Sequence, residues 1–507
     1  MNVNPGTIDP DFLALPLRAV ADAALQRARD LGAEHADVRV ERITSQLLRL
    51  RDGALATAQD STTIGLAVRV IVEGTWGFAS HLEVTPQSAA AAAERAVQVT
   101  RTLRPLNGER VELAPEPVHA DAVWVGDHAI DPFTIPLQEK VGLLSDWSGR
   151  LLAADGVEHT DVIFQTEKET KFYADSAGTT TTQQRVRTHP AVTAIAVDRA
   201  AGSFESMRTC GPPTARGWEY LTGDAVWDWD GELAQLPEWL AEKVKAPSVR
   251  SGPHDLVIDP TNLWLTIHES VGHATEYDRA IGYEAAYAGS SFATPDKLGT
   301  LRYGSPVMTV TGDRIQPHGL ATIGYDDDGV ATSQFDLVRD GLLVGYQTDR
   351  VFAHRMGLEH SAGCAFADSP HHVPIQRMAN VSLQPDPGTD TATADLISGV
   401  ERGIYIVGDR SWSIDMQRYN FQFTGQRFYR IEGGKLAGQL RDVAYQSTTT
   451  DFWGALEAVG GRSSWLLAGA MNCGKAQPGQ VAAVSHGCPP ALFRGISVLN
   501  TRKEAGQ

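Results

Sequence analysis

The first half of this 507-residue chain carries the same pattern twice. A helical periodicity over Leu17 to Leu31 leads into Glu34-His35-Ala36-Asp37-Val38, which opens a run of strands. At 124 positions further on, Glu158-His159-Thr160-Asp161-Val162 opens a second run, again behind a helical stretch, Leu137 to Ala153. Later strings keep the order: Ala67-Val68-Arg69-Val70 answers Ala194-Ile195-Ala196-Val197, and Trp76-Gly77-Phe78-Ala79-Ser80 answers Gly202-Ser203-Phe204-Glu205-Ser206. Each copy reads as one helix followed by antiparallel strands of alternating apolar residues, with turns such as Arg51-Asp52-Gly53. The fold class expected is therefore α+β, with an N-terminal domain built from two related units.

The length exceeds what a single hydrophobic core usually serves, so a second domain is expected. Ala246-Pro247-Ser248 and Ser251-Gly252-Pro253, behind a helical stretch at Leu233 to Val244, mark the boundary, giving domains at 1–245 and 246–507. Beyond it, Asp255 to Ile258 reads as a strand and Asn262 to about Asp278 as a helix. The rest is rich in hairpin signals, among them Asp340-Gly341 and Gly433-Gly434 between alternating runs, so the second domain is predicted to be mostly β.

A formal charge of −18 argues against a nucleic-acid partner, which needs clustered Lys and Arg. Arg39, Arg42, Arg49 and Arg51 alternate along a predicted strand and read as a solvated sheet face. No run approaches a bilayer span, and Met1 to Pro16 lacks a basic stretch followed by an apolar one. A cytoplasmic location is expected, with Cys210, Cys364, Cys473 and Cys488 reduced.

The chemistry concentrates in His268-Glu269-Ser270-Val271-Gly272-His273. Zinc proteases commonly place two histidines at i and i+4 on a helix, with the glutamate after the first as general base. Here the spacing is i and i+5, and on a regular helix such side chains diverge by about 140°. A π-bulge or kink brings them to one face, and Gly272 eases either distortion. The helix is thus predicted to be irregular between His268 and His273. Glu276 joins the same arc. The alternative is a polar helix face with Glu269–His273 and His273–Glu276 pairs, but Leu263, Trp264, Leu265 and Ile267 start the helix inside a core, where ionisable groups need a partner or an ion.

A catalytic zinc usually takes a third protein ligand. Cys473, Cys364, Glu276, His354, His360, His371, His372 and His486 are candidates. Cys473 lies in Asn472-Cys473-Gly474-Lys475, where Lys475 is placed to support a thiolate. Asp326-Asp327-Asp328-Gly329 lacks the alternating ligands of a calcium loop and reads as a turn.

Taken together, His268 to Glu276, Arg377-Met378-Ala379-Asn380 and Asn472-Cys473-Gly474-Lys475 resemble the TldD/PmbA family of metallopeptidases over nearly the whole chain. The resemblance implies a TldD-type, metal-bearing subunit, with His268, His273 and Cys473 as Zn²⁺ ligands and Glu269 as the catalytic glutamate. It implies hydrolysis of unfolded or modified peptides, held mainly through their backbone, by a metal-activated water. It also implies a PmbA/TldE-like subunit in a heterodimer, or a second copy in a homodimer, as partner; the lack of a long apolar run separately leads to the expectation of no membrane partner. Two rival functions use the same residues: a zinc hydrolase of a non-peptide amide, and a non-catalytic scaffold or partner subunit of a peptidase complex.

Overall fold

The computed structural model describes residues 6–198, 203–223 and 226–504. After a short turn of helix, α1 (Pro10–Leu13), helix α2 (Leu17–Asp30) turns Val20, Ala21, Ala24 and Ala28 inward. The meander β1 (His35–Arg51), β2 (Ala54–Val72) and β3 (Thr75–His81) follows, then α3 (Pro86–Leu103), whose buried face is mostly alanine. Strand β4 (Ala122–Val125) leads to the second copy: α4 (Leu137–Leu152), β5 (His159–Asp175), β6 (Thr180–Asp198) and β7 (Ser203–Arg208). The two first strands have 17 residues each and the two second strands 19 each. The expected match of the third strands begins at Gly202, which lies outside the described residues.

Strands β1 and β5 pair antiparallel, and Thr44 faces Lys168, its own counterpart 124 positions on. The two units are thereby related by a local pseudo-twofold and share one sheet, ordered β3-β2-β1-β5-β6-β4, with β7 on β6. The β1–β2 turn follows from chemistry: Asp52 and Gly53 both take positive φ (49° and 79°), the conformation a tight two-residue hairpin demands. Helices α5 (Glu219–Thr222) and α6 (Trp229–Lys245) close the second unit.

The C-terminal half is dominated by strands. Strand β8 (Gly252–Ile258) feeds helix α7 (Pro260–Ile267), which begins where Asp259 accepts from the Thr261 amide and Pro260 fills the first helical position. Next come β9 (Val310–Asp313), β10 (Gln334–Arg339), β11 (Leu342–Leu343), the short pair β12 (Ala365–Phe366) and β13 (Ile375–Gln376), and β14 (Asn380–Leu383). They are followed by β15 (Arg402–Ile414), β16 (Asn420–Glu432), β17 (Lys435–Leu440), β18 (Val443–Thr448) and β19 (Leu456–Val459). The last three are β20 (Leu466–Lys475), β21 (Gln480–Cys488) and β22 (Ala491–Asn500). One sheet runs β15-β8-β22-β18-β16-β17 with β19 on β22, another β11-β10-β9-β14, and among the described residues β20 pairs with β21 alone. Asp340-Gly341 and Gly433-Gly434 form the hairpin turns their composition predicted, all four residues at positive φ. The large apolar clusters do not mix across the halves: those of the N-terminal half run from Ile8 to Leu240, that of the other from Val249 to Val498. The architecture is a two-domain α+β arrangement.

Two expectations need correction. The residues from Asn262 to Asp278 do not form one helix: α7 ends at Ile267, a π turn and a 3₁₀ turn follow, and Glu276 is extended before α8 (Tyr277–Ala280). Nor do the arginines of β1 line a solvated face throughout. Arg39 is buried, pairing with Asp327 at 3.3 Å and donating to the carbonyls of Ser369 and His372. Asp327 also takes Lys171 from β5 at 3.1 Å, and Arg69 of β2 joins Asp328 at 2.7 Å. The Asp326–Gly329 turn is therefore a buried ionic joint between the two halves, not a surface loop. Leaving such a charge unpaired costs about 3–5 kcal/mol, which makes the joint a constraint on how the halves meet.

Candidate metal centre

The segment after α7 positions the histidines. His268 to Gly272 forms a π turn in which the His273 amide donates to the His268 carbonyl, five residues back. This is the irregularity that the i, i+5 spacing predicted, and it brings the two imidazoles to 4.6 Å between ring centroids. A widened turn displaces carbonyls from their usual donors, and side chains take them up. Gln347 Nε2 donates to the Gly272 carbonyl at 2.7 Å, the Thr275 hydroxyl to that of Val271 at 2.8 Å, and the Tyr303 hydroxyl to that of Ser270.

Cys473 comes from β20, where a register shift between Ala470 and Cys473 sets the alternation that buries Met471, Cys473 and Lys475 on one face. One ring nitrogen from each histidine and the thiol sulfur lie within 4.8 Å of one another, and Cys473 Sγ is 3.6 Å from His273 Nε2. Tetrahedral zinc, with Zn–S near 2.3 Å and Zn–N near 2.1 Å, needs a sulfur–nitrogen separation of about 3.6 Å. The donors present fit that ion. His268, Glu269, His273 and Cys473 are each at most 6 % exposed.

Hydrogen bonds fix which nitrogen each histidine offers. His486 Nδ1 faces the Val381 carbonyl at 2.8 Å, and a carbonyl only accepts, so His486 carries its proton there. Its Nε2 is then an acceptor, and His268 Nδ1 donates to it at 2.7 Å, leaving His268 Nε2 with a free lone pair. His273 Nδ1 donates to Glu276 Oε2 at 2.8 Å, so it too presents Nε2. Burial pushes the pKa of His268, His273 and His486 below the ordinary histidine value, so all three are neutral bases near pH 7. Burial alone raises the carboxyl of Glu276, but Lys475, His273 and Arg279 outweigh it and hold it well below the usual range. For Cys473, burial opposes ionisation, but the net direction is down, toward thiolate, with a protonated His273 and the Arg377 guanidinium as the favouring charges; with His273 neutral, Arg377 is the one that remains.

Lys475 does not serve the thiolate as the sequence suggested. Its ammonium binds Glu276 (3.0 Å), Asp278 (2.8 Å) and the Gln376 carbonyl (2.8 Å), so it acts on His273 through Glu276. The other candidate ligands lie elsewhere. His354 and His360 are exposed beside Glu112 and Glu116, and His372 pairs with Asp368. Cys364 is buried, its thiol pushed up to about 12 by burial. His371 borders an apolar cavity of about 430 Å³ between the halves.

Among the supporting residues, Arg418 gave no signal in the sequence, whereas Arg377, Met378 and Asn380 entered it only through the family resemblance. Arg418 Nη1 donates to Glu269 Oε2 at 2.7 Å. Arg377 donates to the carbonyls of Cys473 and Gln480, bridging the hairpin that carries the thiol. Met378 lies where a Cβ on Gly272 would fall, and Asn380 Oδ1 accepts from the amides of Ala321 and Ser485. The Arg377–Asn380 string is thus a buttress for the π turn and the β20–β21 hairpin.

Fold and site together describe a two-domain α+β protein with a buried His–His–Cys cluster and a glutamate beside it, the make-up of a metallohydrolase. Comparison with known proteins gives the family. Residues 251–500 match the PmbA/TldA metallopeptidase C-terminal domain, and residues 36–100 match PmbA/TldA metallopeptidase domain 1. A metalloprotease of Methanothermobacter thermautotrophicus is 28% identical over 500 residues, covering 97% of this chain and 100% of the relative. A zinc metalloprotease TldD homolog of Saccharolobus solfataricus is 23% identical, covering 94% and 98%. In fold, TldE from Thermococcus kodakarensis superposes with a TM-score of 0.70 at 15% identity, over 94% of this chain and 98% of that one. The chain belongs to the TldD/PmbA family of metallopeptidases.

Proposed function

We propose that this chain is a TldD-type, zinc-dependent peptidase of the HExxxH kind, with its two domains meeting at 245/246. The observation that carries the reading is the cluster of His268, His273 and Cys473, buried beside Glu269 with both imidazoles turned to offer Nε2. In that role His268, His273 and Cys473 hold Zn²⁺, which supplies Lewis acidity toward a carbonyl and a water.

The chain's own groups do the rest. Glu269 takes the proton of the attacking water and returns it to the leaving amine, the work of a general base and then acid within hydrogen-bond reach. His486 and Glu276 hold the imidazoles in one tautomer, so neither ligand needs to reorient. Arg377 and the β20–β21 register fix Cys473. The outer edge of β20 has no strand partner among the described residues. That supports an unfolded or modified peptide added as an extended strand and recognised through its backbone. A PmbA/TldE-like subunit, or a second copy, as partner in the cytoplasm completes the reading.

The test is a pair of variants assayed for zinc content and for cleavage of unstructured peptides. Glu269→Gln is expected to retain one zinc while turnover falls by roughly 10²–10⁴-fold, the usual worth of a general base. Cys473→Ala is expected to lose zinc. Full turnover by the glutamine variant, or unchanged zinc in the alanine one, contradicts the assignment.

A further inference from the structure

We infer that Arg418 is the positioning residue for Glu269, holding one carboxylate oxygen and leaving the other free to take a proton, an inference that rests on Glu269 being the base. Arg418 lies in the turn between β15 and β16, at a φ of +63°. A non-glycine residue in that region is sterically disfavoured, so the turn needs outside support. Asp415 gives it, accepting from the amides of Gln417, Tyr419 and Asn420, while Thr449 donates to the Arg418 carbonyl at 2.7 Å.

The guanidinium then makes two bonds, Nη1 to Glu269 Oε2 at 2.7 Å and Nη2 to the Ala288 carbonyl at 3.2 Å. Among the described residues, the hydrogen bonding of the Glu269 carboxylate runs through Oε2. A bidentate fork would occupy both oxygens and oppose base chemistry; this single contact aims the carboxylate without consuming it. The pair is not of the exposed kind that contributes little, since its side chains are 14 % and 6 % exposed.

The Ala288 carbonyl is where two supports meet. Arg279 Nη1 donates to it at 2.5 Å, and Arg279 Nε reaches Glu276 Oε2 at 3.2 Å, the oxygen that orients His273. The 284–289 turn, closed by the amides of Ala288 and Gly289 on the Glu284 carbonyl, is fastened to the Arg418 turn by Ser290 N to Met416 O at 2.8 Å. Gly289 is required there, since a Cβ would sit 2.0 Å from the Met416 carbonyl oxygen. Base and metal ligand are thus held in register by one clamp. A lost positioning contact of this sort costs roughly 10–100-fold in rate.

The test compares Arg418→Met, Arg418→Lys and Glu269→Gln in the full-length, zinc-loaded chain, using an unstructured fluorogenic peptide. The methionine variant is expected to keep parental zinc and KM while kcat falls roughly 10–100-fold. Millimolar guanidinium is expected to restore part of its kcat, the lysine variant to fall between it and the parent, and guanidinium to do nothing for Glu269→Gln. A methionine variant with parental kcat, or one that loses zinc along with activity and is not rescued, overturns the positioning role. Parental turnover by Glu269→Gln removes Glu269 as base, and the inference falls with it.

Discussion

At the scale of single residues, the site depends on donors whose partners leave them one usable lone pair each. His486 shows this best: besides stacking on Trp264, it accepts a hydrogen bond from His268 Nδ1 and donates its own Nδ1–H to the Val381 carbonyl. Replacing it with alanine is expected to lower zinc affinity roughly 10–100-fold, measured by competition with a chromogenic chelator. Unchanged affinity would show that His486 only fills space. The string from His268 to His273 was legible because the chemistry needs those residues close together. Cys473 lies 200 positions from His273, and nothing in spacing singled it out among eight candidates until the resemblance did. Arg418, 149 positions from Glu269, was not legible, since a lone arginine in a hairpin turn looks like any other. Lys475 was read as a partner of the thiolate because sequence shows adjacency, whereas strand alternation sends its ammonium to Glu276 and Asp278.

At the scale of elements, the π turn is the feature that makes i, i+5 histidines converge, and side chains from distant loops stabilise it. Gln347 contributes three side-chain bonds, donating to the Gly272 carbonyl at 2.7 Å and the Thr275 hydroxyl at 3.1 Å and accepting from the Ala379 amide at 2.8 Å. Gln347→Leu leaves the Ala379 amide buried and unpaired and the Gly272 carbonyl with only the longer 3.3 Å bond from the Thr275 hydroxyl, so stability is expected to drop by roughly 1–3 kcal/mol. Denaturant titration checks it, and a drop under 1 kcal/mol would mean that the turn holds without this support. The irregularity was legible from the mismatch between 3.6 residues per turn and the histidine spacing. Its extent was not. The sequence reads as helix to Asp278 because it does not show that Glu276 is extended so as to reach His273, Arg279 and Lys475 together. The duplicated units and the Asp-Gly and Gly-Gly hairpins were readable because they follow from local periodicity and turn chemistry.

At the scale of the whole molecule, the two halves are joined through buried charge. Glu41 of β1 sits among Lys171, Arg39, Glu169 and Asp327, and burial raises its pKa to about 7 against the pull of Lys171 and Arg39. The sign follows directly. Between the ordinary value near 4.5 and about 7 the folded protein keeps a proton that the unfolded chain releases, so stability falls as pH rises through that window. Glu41→Gln is expected to flatten that decline, seen as a smaller change in denaturation midpoint between about pH 5 and about pH 7.5. An identical pH slope in parent and variant would contradict it. This joint was not legible, because Asp327 meets Arg39 and Lys171 across 288 and 156 positions. In the sequence Arg39 looked solvated and the aspartates looked like a simple turn.

The central claim is that His268, His273 and Cys473 bind one ion together, and X-ray absorption at the zinc edge of the purified protein tests it most directly. The expected result is one sulfur near 2.3 Å with two imidazole nitrogens near 2.1 Å, the sulfur vanishing in Cys473→Ala and persisting in Glu269→Gln. Zinc ligated only by nitrogen and oxygen, or a spectrum unmoved by the cysteine substitution, would contradict it.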